Sequence, residues 1–243
     1  LSSDYYFISD IHLGFSEKSI ETEKEKKLEK FLYEIRGKAD TLFILGDLFD
    51  HWFEYKKVIP KGYFKTFSAL NELVESGTEV IYFIGNHDFL HYDFFREEIG
   101  VRLIHDSAEF ILGGKKFFMA HGDGLMANDT GYKILKYFLR NNITQKLFTL
   151  IHPDIGLWLA GSTSKKSRVY TTKRDVRHNG DRLITVAKDK LDSGFDYVIF
   201  GHSHIRNYLN FGEKYYINLG SWITKPCYGI FSKNKFEIVE IDK

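Results

Sequence analysis

The chain has one cysteine, three prolines and no apolar stretch approaching the ~18 residues that span a bilayer. A single thiol, Cys227, excludes an internal disulfide and therefore a disulfide-built scaffold; a reducing compartment fits. Pro60, Pro153 and Pro226 fall between predicted elements, and no segment has the biased composition of a linker or a repeat. The first residues lack a charged-then-apolar leader pattern, so a cytoplasmic protein is expected. A net charge of +1 carries no signature of a nucleic-acid partner.

What the sequence does contain suits one substantial domain with insertions, or two small ones, in 243 residues. Its 43% hydrophobic content can fill a core, and its 28% charged content is ordinary for a globular chain. The charge is uneven. Between Gly131 and Arg182 eleven Lys/Arg stand against three Asp/Glu, which leaves the remainder at −7. Such a block fits an anionic partner on one face or an ordinary solvated surface.

The first half alternates strand and helix patterns. Tyr5–Ser9, Thr41–Leu45 and Glu79–Ile84 are short apolar runs that predict buried strands. Between them, Leu28, Phe31, Leu32 and Ile35 mark a helix over Glu21–Arg36. Tyr63, Phe67, Leu70 and Val74 mark a second, closed by Gly77. This alternation implies crossovers and a parallel sheet. Val101–Ile104, Glu109–Leu112 and Lys115–Ala120 follow as strands, the last two joined at Gly113-Gly114. Tyr132–Ala160 is helical and unusually apolar, Gly161–Lys173 is a polar loop, and Leu183–Lys190 fits another helix. Five strands are predicted at Asp196–Phe200, Tyr208–Phe211, Tyr215–Leu219, Tyr228–Phe231 and Phe236–Ile241. The expectation is a layered α/β domain with two sheets and a helical insert at about 125–170 over one edge.

Five polar motifs directly follow apolar strands: Asp10-Ile11-His12, Gly46-Asp47, Gly85-Asn86-His87-Asp88, Ala120-His121-Gly122-Asp123 and Gly201-His202-Ser203-His204. Parallel sheets place their sites at the carboxyl ends of strands, so five such clusters can meet at one point. Asp, His and Asn offer donors of intermediate hardness that suit Mn²⁺, Fe²⁺ or Zn²⁺ better than Ca²⁺. Asp10 and His12 are alternate residues, as are His202 and His204, so each pair points to one side of an extended segment. Asp47 is the natural bridging ligand, because a carboxylate has two oxygens to share. Singly, each motif is a weak signal, more often a turn or a surface pair; all five in one chain define a metal site. His51, His91, His105, His152 and His178 are read as structural or surface residues.

The series D-x-H, G-D, G-N-H-D, H-G and G-H-x-H resembles the calcineurin-like metallophosphoesterases, over residues 5–221. The resemblance implies a four-layer αββα sandwich, one domain spanning 1–243, and two divalent ions, with Mn²⁺ expected and Fe²⁺ or Zn²⁺ compatible. One ion would take Asp10, His12, Asp47 and His204; the second would take Asp47, Asn86, His121 and His202. His87 matches the family's catalytic histidine, and Asp88 is expected either to orient its ring or to serve as a turn residue.

A narrower resemblance lies in Gly46-Asp47-Leu48-Phe49-Asp50 with Trp52, in His121-Gly122-Asp123-Gly124-Leu125 through Asp129-Thr130-Gly131-Tyr132, and in His152-Pro153-Asp154. These look like the UDP-2,3-diacylglucosamine hydrolase family of lipid A synthesis. One position departs: His87 stands where the best-known members carry arginine. The resemblance implies cleavage of a nucleotide-linked lipid at its pyrophosphate, with Asp129, Tyr132, Ser164 and Arg168 near the head group. The insert's Leu135, Phe138, Leu139, Leu147, Ile151, Leu157 and Trp158 would line an acyl groove. Lys133, Lys136, Arg140, Lys146, Lys165, Lys166 and Arg168 would meet phosphate or an anionic membrane surface, on the cytoplasmic face of an inner membrane. The bland alternative is a helical subdomain burying its own core. Neither nucleic acid nor an obligate protein partner is expected. Two other functions compete: a phosphodiesterase or phosphatase on the same metals, and a non-catalytic scaffold with a relic site, which the intact ligand set disfavours.

Overall fold

A computed structural model describes residues 3–126, 130–156 and 181–241, with the backbone alone for Thr130, Leu135 and Asn142. The elements run β1 (Tyr5–Ile8), α1 (Lys18–Ile35), β2 (Thr41–Ile44), α2 (Phe64–Glu75) and β3 (Glu79–Phe83). A wide, π-type turn at Phe94–Ile99 leads to β4 (Arg102–Ile104), β5 (Ser107–Leu112) and β6 (Lys115–Ala120). Then come α3 (Thr130–Arg140), α4 (Asn142–Phe148), α5 (Leu183–Asp192), β7 (Tyr197–Phe200), β8 (Asn207–Phe211), β9 (Lys214–Asn218), β10 (Cys227–Ser232) and β11 (Lys235–Glu240).

They form two sheets, β11-β10-β1-β2-β3-β4 and β5-β6-β7-β9-β8. β1 to β4 are mutually parallel, as are β6, β7 and β9; β10, β11, β5 and β8 pair antiparallel at the flanks. The central strands are apolar on both faces, so successive residues are buried in different cores. In β1, Tyr6 and Ile8 face α1 and α2, meeting Leu28, Phe31, Leu32, Leu70 and Leu73. Phe7 faces the other way, into a core shared between the sheets with Phe43, Phe83, Phe117, Met119 and Ile199. Leu183, Ala187 and Leu191 of α5 close the far face against Phe118, Val198, Phe200 and Tyr216. The order helix, sheet, sheet, helix is the four-layer α/β architecture that the family resemblance implies. No helix among the described residues is long and apolar enough to cross a membrane.

Among the described residues, the stretch predicted to be helical from Tyr132 onward is interrupted between α3 and α4. It breaks at Asn141, whose side chain accepts a hydrogen bond from the Ile143 amide (2.9 Å) and so caps α4. The helix α1 starts at Lys18 rather than Glu21. Glu21 in its first turn accepts from the amides of Gly14 (2.7 Å) and Ser16 (2.6 Å), tying down the segment that follows the first motif.

Candidate metal centre

Each of the five motifs sits at the carboxyl end of a parallel strand: β1, β2 and β3 in one sheet, β6 and β7 in the other. The sandwich therefore brings seven side chains distant in sequence to one rim. His12 Nε2 lies 3.0 Å from His204 Nε2, 3.9 Å from Asp10 Oδ1 and 3.6 Å from Asp47 Oδ2. His204 Nε2 is 3.3 Å from Asp10 Oδ1. On the other side, His121 Nε2 lies 3.4 Å from Asp47 Oδ2 and 3.1 Å from Asn86 Oδ1, and His202 Nδ1 is 2.8 Å from the same Asn86 oxygen. The donors thus fall into two sets that share Asp47. Its Oδ1 accepts the His87 amide (2.9 Å), so a single oxygen, Oδ2, faces both sets. Donors about 2.1 Å from one ion stand roughly 3 Å apart, which is the spacing seen here.

The backbone is strained to achieve this. Asp10 (φ 51°), His12 (51°), Asp47 (52°), His202 (67°) and His204 (58°) all adopt left-handed conformations. Non-glycine residues rarely do so, at a cost on the order of 1 kcal/mol each. Among the described residues, the only other such cases are Lys233 and Asn234, at a hairpin turn. The alternate-residue geometry expected for Asp10/His12 and His202/His204 is therefore absent. These pairs converge through tight left-handed turns, not extended chain. Glycine makes room at Gly201, where a Cβ would meet the Asp10 carboxylate (2.6 Å) and the Leu45 carbonyl (3.0 Å).

Supporting groups hold the donors from behind. Asp10 accepts from Ser9 Oγ and from the His202 amide (3.1 and 3.2 Å), and its carbonyl accepts from Ser221 Oγ (3.0 Å) and the Trp222 amide (3.1 Å). His121 Nδ1 donates to the Leu45 carbonyl (2.8 Å), which turns Nε2 towards Asp47 and Asn86. Asn218 Nδ2 bonds the Gly201 carbonyl (2.8 Å) and Ser203 Oγ (3.0 Å). Ser221 and Asn218 were missed from the sequence, although the run Asn218-Leu219-Gly220-Ser221 at the end of β9 resembles the other strand-end motifs.

Asp10 and Asp47 are buried, which alone would raise their pKa values. Against that, His204 and His121 hold Asp10 below the ordinary value, and His121, His87 and His12 hold Asp47 well below it. Burial lowers His121, yet Asp47, Asp10 and Asp123 raise it to about 10. Burial, with charge on His121, pushes His202 down to about 4. Two buried carboxylates at the centre of the donors make a cavity that attracts positive charge. Its O/N donor set fits divalent transition ions.

His87 stands at the rim. Its Nδ1 lies 3.0 Å from the Asp50 carbonyl and 3.8 Å from Asp50 Oδ1, and Asp50 Oδ1 is also 3.5 Å from His12 Nδ1. Asp50, not Asp88, is thus the carboxylate behind the His87 ring. Asp88 is fully buried and accepts from the amides of Leu48 and Gly85 (both 2.8 Å) and from the Tyr82 hydroxyl, closing the loop from inside. Its orienting role is corrected to that of a turn residue. His51 Nε2 pairs with Asp50 Oδ2 (3.0 Å), and His152 is exposed. Asp10, His12, Asp47 and His121 are buried, whereas the His204 side chain is 32% exposed, so the site opens towards His204 and His87.

Beside this opening, Tyr132 donates to Asp123 Oδ2 (3.0 Å), with its ring 6.2 Å from that of His202. Asp129, Ser164, Arg168, Leu157, Trp158, Lys165, Lys166 and His178 lie outside the described residues. Two cations expected to meet a ligand or a membrane turn inward. Lys136 Nζ is 3.0 Å from Asp123 Oδ2, and Arg140 is 3.6 Å from the same oxygen, so their charge is already paired. Phe138 and Leu147 are more than half exposed.

A two-sheet sandwich with Asp, His and Asn donors gathered at one rim defines a metal-dependent phosphoester hydrolase. Residues 4–206 match the calcineurin-like phosphoesterase family, and the chain belongs to it. It is 31% identical to a UDP-2,3-diacylglucosamine hydrolase of Porphyromonas gingivalis over 95% of both chains. It is also 31% identical to one of Yersinia pestis, over 82% of this chain and 80% of that one. The solved structure of an archaeal phosphodiesterase aligns over 98% of this chain and 99% of its own, with 14% identity and a TM-score of 0.50, a likeness of fold.

Proposed function

We propose that this chain hydrolyses the pyrophosphate of UDP-2,3-diacylglucosamine to UMP and 2,3-diacylglucosamine 1-phosphate. The observation that carries this reading is the near full-length likeness to a hydrolase of that name. In this reading Asp10, His12, Asp47 and His204 hold one divalent ion, and Asp47, Asn86, His121 and His202 hold the other, Mn²⁺ being the expected metal. When bound, such an ion pair lowers the pKa of a water between them and offsets charge growing on the phosphoryl oxygens.

The protein side chains do the rest. Asp47 Oδ2 faces both donor sets and fixes their separation. His87, its Nδ1 turned to Asp50, presents Nε2 at the open rim and passes a proton to the oxygen leaving the α-phosphorus. Tyr132, whose ring is 6.2 Å from that of His202, would meet the head group, and the family resemblance adds Asp129, Ser164 and Arg168 as further expected contacts. The chain is one domain in which α3 and α4 form an insert. The insert's outer residues Ile134, Tyr137, Phe138, Ile143, Leu147 and Leu150 are each more than half exposed, which suits acyl chains or the surface of an inner membrane. A phosphodiesterase or phosphatase acting on another phosphoester is the second reading, favoured by His87 at the position where the best-known hydrolases carry arginine.

Incubation of the Mn²⁺-loaded protein with UDP-2,3-diacylglucosamine, a cyclic nucleotide and a phosphopeptide separates the two. Release of UMP from the first alone is expected. Turnover of only the other two would end the lipid reading.

A further inference from the structure

The face of α3 that turns inward is polar. Tyr132, Lys136 and Arg140 recur at a spacing of four, so they share one side of the helix. All three meet Asp123, which is buried and lies two residues after His121. Arg140 reaches further. Its Nη2 donates to the carbonyls of Ile84 (3.0 Å) and Gly85 (3.3 Å), the two residues that lead from β3 into Asn86. Its Nη1 donates to the His105 carbonyl and to Asp106 Oδ1 (3.1 Å), just beyond β4. One planar guanidinium therefore ties together the ends of β3 and β4 and, through Asp123, the segment after β6. Asp88 closes the 85–88 turn from the inside, bonding the Gly85 amide; Arg140 holds the same turn from the outside.

We propose that Arg140 is a positioning residue: from the insert helix it fixes the turn presenting Asn86 and, with Asp123, the segment presenting His121. The inference rests on the two-ion reading above and adds an asymmetry to it. Asn86 and His121 belong to one donor set. Asp10, His12 and His204 approach from the ends of β1 and β7, which Arg140 does not touch. Loss of the guanidinium therefore loosens one ion site and spares the other. Lysine cannot replace it, because an ammonium cannot reach several carbonyls at once from a planar fork.

The test is Mn²⁺ binding to the whole protein, by calorimetry and by competition with a chelator, for the wild type, Arg140→Met and Arg140→Lys. Thermal unfolding in EDTA accompanies it. The wild type is expected to bind two ions. Arg140→Met is expected to keep one at its original affinity and to hold the second about tenfold to a hundredfold more weakly, the usual effect of removing a group that orients a ligand. Arg140→Lys should fall between, and it serves as the test variant if the methionine form does not fold. In turnover, kcat should drop with little change in KM. Equal weakening of both ions, or unchanged binding despite a lower unfolding temperature, would overturn the proposal, leaving Arg140 as a stabilising contact only. A wild type that binds no Mn²⁺ would instead remove the two-ion reading itself, and this inference with it.

Discussion

At the rim where β1, β2, β3, β6 and β7 end, Asp10, His12, Asp47 and His121 are at most 1% exposed. Five of the seven candidate ligands there sit in left-handed backbone that the surrounding strands hold in place. The helices α3 and α4 are built on opposite terms. The helix α3 docks through a polar seam on Asp123, while Ile143, Leu147 and Leu150 of α4 and its C-terminal flank stand 60–81% exposed. Burial and strain at the rim mean that small changes should be felt there as lost chemistry. An exposed apolar face adds little to folding, so changes on these two helices should be felt by whatever they touch.

The largest effect is expected from Asp47→Ala. Its Oδ2 faces both donor sets, so hydrolysis should fall at least about a thousandfold in a stopped assay for UMP, with the fold retained by circular dichroism. Activity within tenfold of wild type would break the rim side of the comparison. Gly201→Ala comes next. The added Cβ would press on the Leu45 carbonyl and the Asp10 carboxylate, so a cost of about 1–3 kcal/mol in urea unfolding should accompany lost activity. An unperturbed variant would show that the rim is looser than its backbone suggests.

A third test uses the aromatic layer beneath the rim. His91 packs against Tyr82 and Phe95, with ring centroids 5.2 Å away in each case, and neither ring nitrogen has a hydrogen bond of ordinary geometry. Burial pushes its pKa down to about 3, aided by His105 and Arg140 and opposed by the Asp88 backbone. The ring is neutral in both states above pH 6.5. Below that, the unfolded chain takes up a proton that the folded ring refuses. Stability should therefore fall as pH drops from about 6.5 towards 3, by about 2 kcal/mol at pH 5. His91→Phe should flatten that part of the denaturation profile; an equal pH slope in both proteins would contradict it. The smallest effect on folding is expected from Ile143→Ser with Leu147→Ser, within about 0.5 kcal/mol per site. Binding to anionic vesicles should fall in the same variant. Strong destabilisation would mean that this face packs against the protein itself.

Much of the rim is legible in the sequence. Strand runs and the polar residues after them are local signals, and parallel sheets dictate where strand ends open. All seven candidate ligands were read this way, as was the division into two donor sets by family resemblance. The groups behind them were not. Asp50 is one residue among many in Gly46-Asp47-Leu48-Phe49-Asp50 until β2 and β3 lie side by side. Adjacency to His87 leaves two roles open to Asp88, and only the paired loops show its carboxylate turning back to Leu48 and Gly85. Lys136 and Arg140 looked like free charges on a basic block. Their partners lie in segments remote in sequence, which no periodicity reveals. The break at Asn141 was hidden within a continuous apolar pattern, although an Asn able to cap the next helix stood there.

The proposed chemistry depends on two cations sharing Asp47, and their positions can be seen directly. Crystals grown with Mn²⁺ and measured for anomalous scattering should contain two peaks roughly 3.5–4 Å apart, one on each side of Asp47 Oδ2. One should be bounded by Asp10, His12 and His204, and the other by Asn86, His121 and His202. A single peak, no peak, or a pair bound elsewhere would contradict it.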